Sequence, residues 1–223
     1  MLFNLVLTIR NISFAGIARS FMLMLLVGTS VPVFSQHQNL KFEHLGTGEG
    51  LSHSNTICIL QDSRGFMWFG TRDGLNRYDG YTFTVFRNNA NDKTSLGHSM
   101  VNEIVEDSEG VLWIATWGGG LSQFNRETEK FVQYKHDKNN PSSISSDLVN
   151  ALLIDSEGVL WVGTEDQGLN RFNKKDQTFS HFVNDPENPN SLSQNSVKDI
   201  IENQQRKLLI ATAGGLNVYD RKT

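Results

Sequence analysis

From residue 51 onward, apolar and polar positions alternate in short runs, and Gly, Asp, Asn and Ser separate the runs. A period of two is the pattern of half-buried strands, and no stretch sustains a 3.6-residue period. The same landmarks then return in the same order along the chain. Leu51-Ser52-His53, Leu96-Gly97-His98, Ile144-Ser145-Ser146 and Leu192-Ser193-Gln194 align at steps of 45, 48 and 48 residues. In each unit an apolar segment ends at Asp62, Asp107, Asp155 or Asn203. A turn follows, Ser63-Arg64-Gly65 in the first copy and the degenerate Gln204-Gln205-Arg206 in the last. Next come Trp68, Trp113, Trp161 or Leu209, and then Thr71, Thr116, Thr164 or Thr212. A Gly-Leu pair closes on Tyr78, Phe124, Phe172 or Tyr219, and the first three units add an aromatic pair three residues apart.

The first unit predicts strands over 56–61, 66–70, 75–78 and 82–86, with the Asp-Ser-x-Gly stretch as a tight hairpin. Four short strands in 45–48 residues is the size of a β-propeller blade. The expected class is therefore all-β, with blades of four antiparallel strands over 51–95, 96–143, 144–191 and an incomplete 192–223. Residues 40–45 carry Phe42 and Leu45 three apart, like the aromatic pair of each fourth strand, and read as an outer strand without its blade. Two readings follow. Four blades close on themselves with 40–45 completing the last, or the chain is the front part of a longer, seven-bladed ring. Trp68, Trp113 and Trp161 each lie on a second strand and are expected to pack between blades.

Residues 1–36 contain no acid, and Arg10 and Arg19 precede the apolar run 21–27. Val33-Phe34-Ser35 fits a small-residue cleavage site, so 1–35 reads as a secretory signal peptide, with an uncleaved anchor as the alternative. Either way, the remainder is expected to be exported to the periplasm. The net charge of −4 comes from 24 acidic and 20 basic residues; a mildly acidic chain is a poor partner for nucleic acid. Membrane association is expected only through the N-terminal segment or a downstream part. A single cysteine, Cys58, excludes an intramolecular disulfide and a Cys-rich zinc site.

The run Ile-Leu-Gln-Asp-Ser-Arg-Gly-Phe-Met-Trp-Phe-Gly-Thr-Arg-Asp-Gly-Leu-Asn-Arg-Tyr-Asp-Gly at 59–80 closely resembles the two-component regulator propeller repeat. It recurs at 104–125 and 152–173, and more loosely at 200–220. The resemblance implies the periplasmic sensor region of a hybrid two-component regulator, many of which sense oligosaccharides. In that layout paired seven-bladed propellers precede a β-sandwich, a membrane helix and kinase, receiver and DNA-binding modules. This chain contains none of those later parts, and a sequence truncated before its signalling modules is the expected explanation. A free-standing exported propeller that binds or scaffolds is the second reading, and a propeller glycan lyase or hydrolase the third. Self-association through the sensor region is expected.

Propeller topology puts the loop leading into each first strand and the loop between strands two and three on one face. There the four copies diverge, and divergent polar residues on a repeated scaffold are where a ligand would be read. The candidates are His53, His98, Arg72, Asp73, Trp117, Glu165 and Asp166, with Asn102 and Asn150 at a shared first-strand position that Lys198 also occupies. Glu103 and Asp199 share the next position. A Trp flanked by glycine can stack on a sugar ring while amides and carboxylates bond its hydroxyls. No catalytic residue, metal site or cofactor is expected. The two histidines lack a third ligand, the repeated aspartates are explained by turns, and the Asn-rich stretches 88–92, 137–143 and 184–191 have no EF-hand spacing.

Overall fold

The computed structural model describes residues 41–221. Four antiparallel meanders follow one another. Blade 1 is β1 (Thr56–Gln61), β2 (Met67–Thr71), β3 (Gly74–Tyr78) and β4 (Phe83–Phe86). Blade 2 is β5 (Val101–Glu106), β6 (Leu112–Thr116), β7 (Gly120–Asn125) and β8 (Lys130–Tyr134). Blade 3 is β9 (Val149–Ile154), β10 (Leu160–Thr164), β11 (Leu169–Asn173) and β12 (Thr178–Phe182). Blade 4 stops at three strands, β13 (Val197–Glu202), β14 (Leu208–Thr212) and β15 (Gly215–Tyr219). The expected strands thus form, displaced by about one residue. The fold is an all-β assembly of propeller blades.

The blades stack through their first strands, β1 on β5, β5 on β9 and β9 on β13, and β13 does not come round to pack closely on β1. The described residues are an open arc, so the closed four-bladed reading is not what forms. Residues 41–45 carry no strand, contrary to expectation, and among the described residues β15 has no fourth strand beside it. The reason is one of position. The segment leads through Leu51 into blade 1, where Ser52 N–H donates to Asn76 Oδ1 at 2.8 Å, whereas the unfilled edge belongs to blade 4. The targeting segment 1–35 lies outside the described residues.

Three apolar layers sit between successive blades, each with a buried Trp at its centre. Trp68 packs edge-on to Phe124, Trp113 to Phe172 and Trp161 to Tyr219, with ring centroids 5.3, 5.1 and 5.6 Å apart. An aromatic side chain on a second strand thus fills the space under the next blade's third strand, as the repeat implied.

The aspartate before each turn holds both the turn and the Trp. Asp62 Oδ1 accepts from the Arg64 and Phe66 N–H groups, and Oδ2 accepts from Trp68 Nε1 at 2.8 Å. Asp155 does the same for Glu157, Val159 and Trp161, and Asp107 for Glu109, Val111 and Trp113. In blade 4 the turn acceptor is Asn203, and the Trp position is Leu209, whose side chain has no N–H to offer. The two departures from the repeat are therefore one change, since an amide suffices where no indole must be bound. Gly65, Gly110 and Gly158 take positive φ in these turns, and in the fourth Arg206 takes φ 60° at a steric cost that glycine avoids.

A cation from each following blade completes the unit. Arg126 reaches back from blade 2 to Asp62 Oδ2 at 2.5 Å and pairs with Glu106 Oε1 at 2.7 Å. Lys174 reaches from blade 3 to Asp107, and Arg221 from blade 4 to Asp155 and Glu202. Burial pushes the Asp62 carboxyl up, but the Trp68 and Arg126 hydrogen bonds outweigh it and hold the group below the usual carboxylate range.

Candidate functional site

The first strands line the concave centre of the arc, and the loops between second and third strands rim one end of it. Trp117, Glu165, Asn102 and Asn150 come together there, around a cavity of about 390 Å³ completed by Ile57, Met100 and Lys198. All four blades contribute, because Ile57, Asn102, Asn150 and Lys198 occupy one repeated position on β1, β5, β9 and β13. The sequence comparison marked that position but did not single out Lys198, whose shared register was the available signal. Met100 and Ile57 carry no polar signature and were not anticipated.

Each side chain is held from below. Trp117 is half-buried; its backbone N–H donates to Met100 O at 3.0 Å, and an isolated bridge to Leu148 ties it to the loop entering blade 3. The next residue, Gly118, has φ 102°, which lets the chain turn away beneath the ring. Asn102 Nδ2 donates to Val149 O and Asn150 Nδ2 to Val197 O, so each amide also pins the following blade. Asn150 Nδ2 lies 2.6 Å from Glu165 Oε2, and Lys198 Nζ lies 2.6 Å from the same oxygen. The Lys198 ammonium holds the Glu165 carboxyl below its ordinary range, and Asn150 adds to the effect. The cavity thus offers an aromatic face, two amides, and a carboxylate and ammonium whose charges cancel. That set can stack on and hydrogen-bond a neutral polyhydroxylated molecule.

The other anticipated residues do not line this cavity. Asp73 pairs with Arg87 at 3.1 Å, while Arg72 and Asp166 project from the exposed rim. His53 Nδ1 accepts from Asn55 N–H at 2.9 Å, and His98 Nδ1 from Met100 N–H at 3.1 Å. Ser146 and Gln194 hold the same turn in blades 3 and 4, each accepting from the N–H two residues on. The recurrence of the two histidines is thus a shared turn acceptor. The Asn-rich loops are similarly self-contained. Asn88 and Asn184 donate to Leu96 O and Leu192 O, and His136 Nδ1 bonds Ile144 O at the equivalent place.

Below the cavity on the same strands lies Glu103, whose Oε2 accepts from Leu152 N–H across the blade junction at 2.7 Å. Burial pushes its carboxyl up to about 7, and nearby Asp199 adds to this. Burial likewise raises the Cys58 thiol to about 12, which leaves it an inert packing residue. A carboxyl raised on folding binds its proton more tightly in the native state. Its stabilisation is complete below the unfolded value and is lost as pH rises through the folded one. Urea unfolding is accordingly expected to show stability falling between about pH 4.5 and 7.5, and Glu103→Gln to flatten that slope while keeping an acceptor for Leu152 N–H. An unchanged slope in the variant would show that another group carries it.

Comparison with known proteins accords with this architecture. The family model described as "Two component regulator propeller" matches residues 50–73, 95–118 and 143–166. Histidine kinase P4 of Formosa agariphila is 42% identical over 76 residues, which is 34% of this chain and 6% of the kinase. Two solved extracellular domains from B. thetaiotaomicron superpose on 81% of the chain at 25% identity. Both are described as parts of hybrid two-component systems. That of BT3049 has a TM-score of 0.69 with 26% of its length covered, and that of BT4673 a TM-score of 0.66 with 23% covered. The chain therefore spans about a quarter of each solved domain and a small part of the kinase.

Proposed function

Because this chain carries the two-component regulator propeller repeat, we propose that it is the periplasmic ligand-sensing region of a two-component system and that it reads an oligosaccharide without turning it over. The observation that carries this reading is the convergence of Trp117, Asn102, Asn150, Glu165 and Lys198 from blades 2, 3 and 4 on one cavity. Trp117, Glu165 and Lys198 stand at positions where the repeats differ, whereas the repeated Asp, Trp and Gly residues are used up in turns and blade junctions. In the proposed complex one sugar ring stacks on Trp117. Glu165 and Lys198 bond adjacent hydroxyls, and the amides fix the ring's orientation. The extracellular placement of the similar solved domains supports export, as does the acid-free segment 1–36.

Titration of the protein with a panel of neutral and uronate-containing oligosaccharides, followed by tryptophan fluorescence, tests the proposal. Binding of a neutral member is expected, with Trp117→Ala weakening it by about 2- to 10-fold, since loss of ring stacking removes on the order of 0.5–1.5 kcal/mol. Binding unaffected by Trp117→Ala would move the site elsewhere. Release of cleaved sugar during the titration would replace the sensor by an enzyme.

A further inference from the structure

Repeat register sets the charges at the cavity apart. The first-strand position that lines it is Ile57, Asn102, Asn150 and Lys198 in the four blades, so one of the four is a cation. The rim position just after each repeated threonine is Arg72, Trp117, Glu165 and Ala213, so one of those four is an anion. The stacking of blade 3 on blade 4 brings that cation and that anion together, with Lys198 Nζ 2.6 Å from Glu165 Oε2. Among the described residues they are the only charged side chains that line the cavity. Glu103 and Asp199 do not line it, and accept instead from the Leu152 and Ile200 N–H groups.

The Glu165 carboxylate is fixed rather than loose. Its Oε2 also accepts from Asn150 Nδ2 at 2.6 Å, and the same Nδ2 donates to Val197 O. Donors from the first strands of blades 3 and 4 therefore hold one oxygen in place, and the ammonium keeps the group ionised. The pair remains accessible, with 48% of the Lys198 side chain and 30% of the Glu165 side chain open to solvent. A ligand can thus reach Lys198, but only beside an anion already seated on it. A hydroxyl can join such a pair, accepting from Nζ or donating to a carboxylate oxygen. A ligand carboxylate meets like charge at contact range, and must displace Glu165 or leave a charge uncompensated.

We infer that Glu165 sets the charge selectivity of the cavity: it occupies a subsite on Lys198 where a uronate carboxylate would otherwise bind, so neutral oligosaccharides are admitted and acidic ones refused. This rests on the sensor reading above and adds to it a latent site for acidic sugars that one substitution opens. Glu165→Gln keeps the side-chain length and an acceptor for Asn150 while releasing the Lys198 charge for a carboxylate, the stronger of its possible partners.

Isothermal titration of the full chain with matched pairs tests the inference. Each pair is a neutral hexose oligosaccharide and the same sugar with its C6 alcohols oxidised to carboxylates, and the quantity read is the ratio of the two dissociation constants. The unmodified protein is expected to bind the neutral member at least about 10-fold more tightly. Glu165→Gln is expected to shift the ratio by at least about 5-fold toward the acidic member, the scale of one partly exposed charge pair. The shift should shrink in about 0.5 M salt, which screens an exposed ammonium. It should vanish in the double variant Glu165→Gln with Lys198→Gln. Damage to the fold alone would lower both affinities and leave the ratio where it was. Neutral binding with an unmoved ratio in Glu165→Gln, a shift that survives the loss of Lys198, or tight binding of acidic members by the unmodified protein would overturn the inference and leave the sensor reading standing. No binding of any pair to either protein would overturn the sensor reading and the inference with it.

Discussion

Replacing Trp113 by alanine is expected to cost about 3–5 kcal/mol of stability, the range for truncating a large buried aromatic. Trp113 sits at the middle junction, against Tyr134 and Phe172, and its removal opens a void between blades 2 and 3. Because blades contact only their neighbours, that junction is where two-state behaviour should fail first. Equilibrium urea unfolding monitored by the remaining tryptophans is expected to become broader or biphasic as well as shifted. Trp113→Phe should cost clearly less, since it retains most of the apolar area and Asp107 keeps its turn bonds and Lys174. Equal losses in the two variants would mean that the indole N–H, rather than the packing, carries the effect.

The second large effect is expected at Arg126. Its guanidinium lies between the Asp62 and Glu106 carboxylates and also donates to Gly110 O at 2.7 Å. Removing one partner of a buried charge cluster leaves the others uncompensated and costs about 3–5 kcal/mol. Arg126→Ala should therefore destabilise at neutral pH about as strongly as the tryptophan truncation. The loss should shrink in acid, where the stranded Asp62 carboxylate takes up a proton. Glu106→Gln combined with Arg126→Met should recover part of the stability, because it removes one stranded carboxylate and keeps an acceptor for Ser63, while Asp62 retains its bonds from Arg64, Phe66 and Trp68. Thermal unfolding of the single and double variants at pH 7 and pH 4 decides this. A double variant no better than Arg126→Ala would show that the cation is needed for its hydrogen bonds rather than for charge balance.

Much of this architecture was legible because the chain repeats itself. The strands, the Asp-Ser-x-Gly turns and the inter-blade role of Trp68, Trp113 and Trp161 followed from four aligned copies read against a strand's period of two. The Arg126 ion pair was not legible. Its partner lies 64 residues away, and the position varies through Gly80, Arg126, Lys174 and Arg221, so it reads as loop variation until the blades are stacked. The candidate site divides in the same way. Trp117, Glu165, Asn102 and Asn150 share a cavity because position on a repeated strand or rim loop maps directly onto position around the arc. His53 and His98 stood out only because histidine suggests chemistry, whereas serine and glutamine hold the same turn in the other blades. Residues 40–45 have an outer strand's side-chain pattern, but a strand also needs a ladder partner, and no local pattern reports where that partner will be.

The order of strands within each sheet has a kinetic consequence. Every sheet is a meander in which each strand pairs with the one just before it, so no pairing waits for a distant part of the chain. All-β proteins usually fold slowly because their ladders close large loops before gaining contacts. Here each blade needs fewer than 50 residues to assemble its hairpins, and each completed blade presents a template for the next. Folding can therefore advance in the direction in which the chain is made, with the rate of each step set by one loop between blades rather than by the length of the whole.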